Sequence, residues 1–187
     1  MKIRFSLFLY LCAIGLLSIL PLTSCNKASQ LAAFDVIYNF PRVSFVYLSN
    51  DKKTQELTIY SCKLSINFDS ILSANHIPSG IIASAYLTKL AMAITAPPEA
   101  TFNWLASVRM VGSPDSTFQQ TTELGSATGI DPAAKNIDLA LNKTDIKPIL
   151  FKNSYYLKIL ATPSGQIPPS SISMYMDSQI KLHIEPL

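Results

Sequence analysis

Two histidines, three cysteines and twelve carboxylates are the residues this 187-residue chain could bring to catalysis or metal binding. A metal centre needs several such side chains gathered by spacings such as His-x-His or His-Glu-x-x-His, and neither occurs. His76 stands in a His-Ile-Pro-Ser-Gly break. His183 lies between Leu182 and Ile184 in an alternating run, so its ring is expected on the wet face. Cys62 falls on the apolar side of another alternating run, where a free cysteine behaves as a small hydrophobe. No Gly-x-Ser-x-Gly turn is present to expose a serine nucleophile. Asp69, Asp131, Asp138 and Asp145 lie at element ends, in turns or on a wet strand face. Capping and solvation account for them better than paired work on a glycosidic bond. Six glycines, none in a Gly-rich loop, leave no phosphate cradle. No catalytic residue, metal or cofactor is therefore assigned.

Cys25 has a different setting. Lys2 and Arg4 open the chain, Leu7 to Leu22 is almost wholly apolar, and Thr23-Ser24-Cys25 follows. A positive start, an apolar stretch and small residues before a cut define an export signal. Leu22-Thr23-Ser24-Cys25 resembles the lipobox of bacterial lipoproteins. The resemblance covers the export segment, and it implies a diacylglycerol on the Cys25 thiol, cleavage before it and acylation of the new amino group. An uncleaved membrane span is the competing reading, since about 20 apolar residues suffice. Pro21 and the small residues after it fit cleavage better. Several acyl chains hold where one does not, so the partner implied first is a membrane. Asn26 after the cysteine, with no acid through Gln30, resembles outer-membrane lipoproteins facing the periplasm rather than the cell surface.

Charge is unremarkable once that segment is set aside. Lys2 and Arg4 account for two of the 15 bases, leaving 13 against 12 acids in residues 25–187. A near-neutral body has no electrostatic footprint for nucleic acid. Cys12 leaves with the signal and Cys25 is taken by lipid, so Cys62 has no partner for a disulfide. The 163 residues after position 24 suffice to bury a core without one. The expected organisation is a signal over 1–24, a lipidated tether over 25–33 and one domain over 34–187.

Short alternating runs fill that domain. Strands are expected at 34–40, 43–48, 57–68, 85–95, 107–111, 121–128, 136–141, 155–161, 172–176 and 179–184. Short helices are expected after Asp69, at Thr101 and at Thr144, with Pro148 limiting the last. Strands this short, with turn signals between them, indicate an all-β fold. Helical connections and the lack of Asn-Gly turns favour an immunoglobulin-like β-sandwich of about eight strands over a closed barrel. The layout is similar to the small β-sandwich lipoproteins of gut-dwelling Gram-negative bacteria.

Aromatic side chains remain as ligand contacts. Trp104 in an inter-strand segment, and Tyr156 of the adjacent pair Tyr155-Tyr156, of which one ring should face out, are the candidates for an exposed binding face. The competing reading of Trp104 is a plug at the end of the core. Asp69-Ser70-Ile71 and Asp115-Ser116-Thr117 resemble an O-glycosylation acceptor of exported proteins in the same bacteria, with Ser116 better placed than Ser70. The leading expectation is a lipid-anchored, non-enzymatic binding or assembly module of the cell envelope, with an envelope protein or glycan as partner. The alternatives are a lipoprotein hydrolase and a lipid or small-ligand carrier with an apolar pocket between sheets.

Overall fold

The even-numbered residues of the final run organise the molecule. Ile172, Met174, Met176, Ile180, Leu182 and Ile184 are each at most 3% exposed. The computed structural model describes residues 33–49, 56–64, 68–74, 76–151 and 155–185. In it this run is one strand, β10 (Ser171–Ile184), where two were expected. It stays continuous because its neighbour absorbs the irregularity. Opposite Gln179 and Ile180 the pairing steps from Lys89 to Leu87, so the extra residue bulges out of β4 (Ile82–Ala96).

β10 is the axis of one sheet. One edge of it pairs with β1 (Phe34–Asn39) and then β2 (Val43–Leu48), both antiparallel. The two are one edge strand interrupted at Phe40-Pro41-Arg42, where proline has no N–H to give the ladder. The other edge pairs with β4, and β4 with the short β7 (Asn136–Asp138). The second sheet runs β3 (Leu57–Leu64), β9 (Tyr155–Pro163), β5 (Leu105–Ser113), β6 (Thr122–Thr128), β8 (Ala140–Leu141).

The pairings nest. β1 and β2 take β10, β3 takes β9, β4 takes β7 and β5 takes β6. The chain is thus a long hairpin with its tip between β5 and β6, rolled so that alternate rungs fall in opposite sheets. That strand order is a jelly roll. The expected all-β sandwich is present, but an immunoglobulin-like order, with ABED against CFG, is not the one observed. The physical reason is the pairing of first strand with last, which no local pattern encodes.

Local departures have local causes. Residues 136–141 were expected as one strand and form two in different sheets. Leu139 between them is buried and its N–H donates to the Leu90 carbonyl, so the chain crosses there. A strand reaching Phe68 does not form. The helix α1 (Phe68–Ala74) begins there, and Asp69 lies in its first turn, where the helix dipole favours a carboxylate. His76 closes that helix with φ of 56°, its N–H donating to the Ser73 carbonyl. A 3₁₀ turn over Phe102–Trp104 and the helix α2 (Lys147–Leu150) stand where short helices were expected. Pro148 lies within the first turn of α2, where a missing N–H costs nothing, rather than ending it.

All these pairings and the core between the sheets lie within Ala33–Glu185, a compact unit that holds what it needs to fold. The signal at 1–24, Cys25 and the tether up to residue 32 lie outside the described residues. Among the described residues no helix is long and apolar enough to cross a membrane, and no group of three metal-ligating side chains occurs.

Candidate functional site

The inward stripe of β10 contains one polar position. Between Met176 and Ile180 stands Ser178, half-buried where its neighbours are closed. A serine cannot fill the space that isoleucine, methionine and leucine fill along the same face. Ser178 also lies at the break of the edge strand, its carbonyl accepting the Phe40 N–H at 3.0 Å. A short side chain and an interrupted edge coincide there. The result is a cleft of about 240 Å³ between the sheets.

Each wall has its own cause. Met176 and Leu90 line it from the first sheet, Leu157 and Met110 from the second. α2 closes one side with Ile149 and Leu150. Asp145 holds α2 in place: one carboxylate oxygen accepts the N–H groups of Ala85 and Lys147, both at 2.9 Å. Ile146 reinforces this by donating its N–H to the Ala85 carbonyl at 2.8 Å. Pro41, Val43, Lys63 and Leu64 complete the lining where the two sheet edges face each other.

Tyr155 supplies a rigid wall. Its ring crosses the neighbouring strand at Gly112, and a Cβ there would fall inside the phenol. Gly112 is therefore set by this close approach. The Tyr155 hydroxyl is buried without a hydrogen-bond partner among the described residues, and burial pushes its pKa up.

The lining is almost wholly apolar. Among the described residues that line it, only Lys63, Tyr155 and Ser178 carry polar side-chain groups. Lys63 is exposed and stands opposite Tyr156 in the β3–β9 ladder, on the outward face of its sheet. Arg42, next to Pro41, is already engaged. Its Nε and one terminal nitrogen donate to the two Asp177 oxygens at 2.9 and 3.0 Å, and its guanidinium carbon lies 3.7 Å from the centre of the Tyr175 ring. This pairing holds the Asp177 carboxyl below its usual range.

The residues singled out in the sequence lie elsewhere. Trp104 is 1% exposed, its ring stacked on Tyr47 with centroids 4.9 Å apart. It is the core plug, and a ring covered in this way is no exposed binding face. Tyr155 faces in and Tyr156 out, as alternation requires. Tyr156 meets Phe118 edge-on at 6.4 Å, and Lys158 Nζ lies 3.8 Å from the Phe118 centroid. Ser116 is exposed in the turn after β5, and Ser70 is exposed on α1. Asp115 folds that turn by accepting the Thr117 N–H at 2.8 Å. His183 faces outward, its Nδ1 2.8 Å from Asp35. Cys62 is half-buried rather than enclosed, and burial pushes its thiol up.

No protein-family model matches the chain, and no curated protein matches it. Solved structures of virus proteins are similar to it at low identity. The chain is similar to a protein of Desmodium yellow mottle tymovirus at 18% identity, over 83% of this chain and 90% of that one, with a TM-score of 0.32. It is similar to the BFDV capsid protein at 11% identity, over 84% and 96%, with a TM-score of 0.41.

Proposed function

We propose that the protein is a lipid-anchored, non-enzymatic binding protein of the cell envelope, and that its ligand is a small apolar molecule held between the two sheets. The observation that supports this is the apolar cleft beside Ser178. An apolar cavity of about 150 Å³ stays dry and takes up small hydrocarbons, and this one measures about 240 Å³. Hydrolysis would need convergent polar groups in a cleft, whereas this lining is almost wholly apolar. The lipobox at Leu22–Cys25 supports anchoring through Cys25, on the periplasmic side of the outer membrane.

Two experiments test the two halves. Labelled palmitate should enter the wild-type chain and not the Cys25→Ala variant. Equal labelling of both refutes the anchor. Benzene should raise the thermal unfolding midpoint of residues 26–187 by mass action, and Ser178→Leu should abolish the rise. No rise in the wild-type domain refutes the ligand.

A second reading rests on a different surface. Ile37, Val46 and Leu48 are 60%, 55% and 61% exposed along the β1–β2 edge. An exposed apolar edge strand suits strand addition by an envelope protein. Glycan binding keeps only Tyr156 as its aromatic contact.

A further inference from the structure

We infer that the outward side chains of the β1–β2 edge make a second contact with the membrane, so that the domain lies with this edge against the phospholipid headgroups. The inference rests on reading Cys25 as the lipid anchor and adds how the domain sits. The exposed large apolar side chains among the described residues are Phe34, Ile37, Val46, Leu48 and Ile167. The first four belong to β1 and β2, which form one edge of the first sheet. Ile167 stands three residues before Ser170, whose carbonyl accepts the Ser49 N–H at 3.0 Å where β2 ends. The edges at β3, β7 and β8 carry no such side chain among the described residues.

Three of these side chains share a direction. Ile37, Val46 and Leu48 stand opposite Lys181, Ser173 and Ser171 of β10. Those are odd-numbered positions, on the outward side of a strand whose even-numbered apolar side chains fill the core. The three therefore project from one face, along a stretch of about 33 Å. Side chains that leave the face reach among headgroups while the unpaired backbone of the edge stays hydrated, as an open edge requires.

The tether names the occupant. From Cys25 to Phe34 the chain spans at most about 30 Å when fully extended, and Phe34 opens this same edge. A lipid on Cys25 keeps the apolar edge beside the bilayer. Charge does not oppose the contact. The carboxylates of β1, β2 and β10 are Asp35 and Asp177, matched by Lys181 at 3.0 Å and by Arg42 at 2.9 Å.

The test places residues 26–187, bearing an N-terminal histidine tag, on vesicles of phosphatidylethanolamine and phosphatidylglycerol that contain nickel-chelating lipid. The tag stands in for the acyl group, so the result is independent of palmitate labelling at Cys25. A nitrobenzoxadiazole dye is attached at Val46→Cys or, for comparison, at Ser61→Cys, both in a Cys62→Ser background. Ser61 is exposed opposite Lys158, on the outward face of the other sheet. At position 46 the emission should shift to the blue on vesicles, rise about twofold or more and be quenched by nitroxide-bearing lipid. At position 61 it should do none of these. Ile37→Ser combined with Leu48→Ser, both exposed changes checked by circular dichroism, should return the signal at position 46 to its value in water. A dye at position 46 that stays water-like on vesicles overturns the contact and leaves the edge to a protein strand. Equal quenching at the two positions overturns it too. A blue shift without vesicles that grows with protein concentration puts a second copy on the edge and likewise overturns the membrane contact.

Discussion

Gly112→Ala should be among the most damaging small substitutions in the domain. The added Cβ would lie inside the Tyr155 phenol and 2.8 Å from Tyr155 Cε1. Two effects oppose each other. Alanine in place of glycine within a strand gains about 0.5–1 kcal/mol of backbone entropy. Forcing a packed ring off its site costs about 1–3 kcal/mol, and expelling it altogether costs about 3–5. Tyr155 is only 8% exposed and spans the wall between core and cleft, so it has little room to yield. The net loss should be about 2–4 kcal/mol. Tyr155→Phe alone should stabilise by about 1 kcal/mol, because it removes a buried hydroxyl that has no partner. It should not rescue Gly112→Ala, since the ring carbons still clash. Tyr155→Ala should rescue it, giving a coupling energy of about 2 kcal/mol or more. Urea unfolding followed by Trp104 fluorescence measures all four, and unchanged slopes confirm that midpoints report stability. Gly112→Ala within about 0.5 kcal/mol of wild type, or equally costly in the Tyr155→Ala background, would refute the close approach.

Ser178→Leu should raise stability by about 0.5–2 kcal/mol by filling the cleft, read from the same urea curves. Asp35 is held below its usual range, first by the hydrogen bond to His183 and then by Lys181. Its contribution is complete above the unfolded value near 3.8 and fades as pH falls through the lower folded value. Asp35→Asn should therefore flatten the loss of stability between about pH 5 and pH 2, measured by thermal melts across that range. Arg42→Ala should barely move the urea midpoint despite its two-pronged pair, because both partners keep water. The Cys62 thiol, raised by burial, should react with a disulfide reagent far more slowly at neutral pH in the folded domain than in urea.

Much of the secondary structure was legible because alternation is a local signal. Tyr155, Leu157, Ile159 and Ala161 alternate with half-exposed neighbours, and the strand they mark is there. The short helices near 69, 102 and 147 were legible in place, but Thr101 makes no capping hydrogen bond, Asp69 lies inside its helix, and the last helix starts after Ile146 rather than at Thr144. Which strands meet was not legible, because Phe34 pairs with Ile184 across the whole domain. Asp177-Ser178 read as a break because polar residues interrupt an apolar run. The strand continues because the bulge lies in β4, at a position only the pairing reveals. The cleft had a signal nonetheless. Extending the even-numbered inward positions of the last two runs through 178 shows a serine in a column of isoleucine, methionine and leucine.

The central place of β10 has a consequence for synthesis and transport. Its fourteen residues separate β1 and β2 from β4, so the first sheet cannot close until residues 171–184 have been made. A nascent chain lacking that stretch has edges waiting for a strand and stays loose, and pairings so distant along the chain close slowly. A polypeptide that cannot lock before those residues emerge remains a thread for longer. Threads are what narrow translocation channels accept.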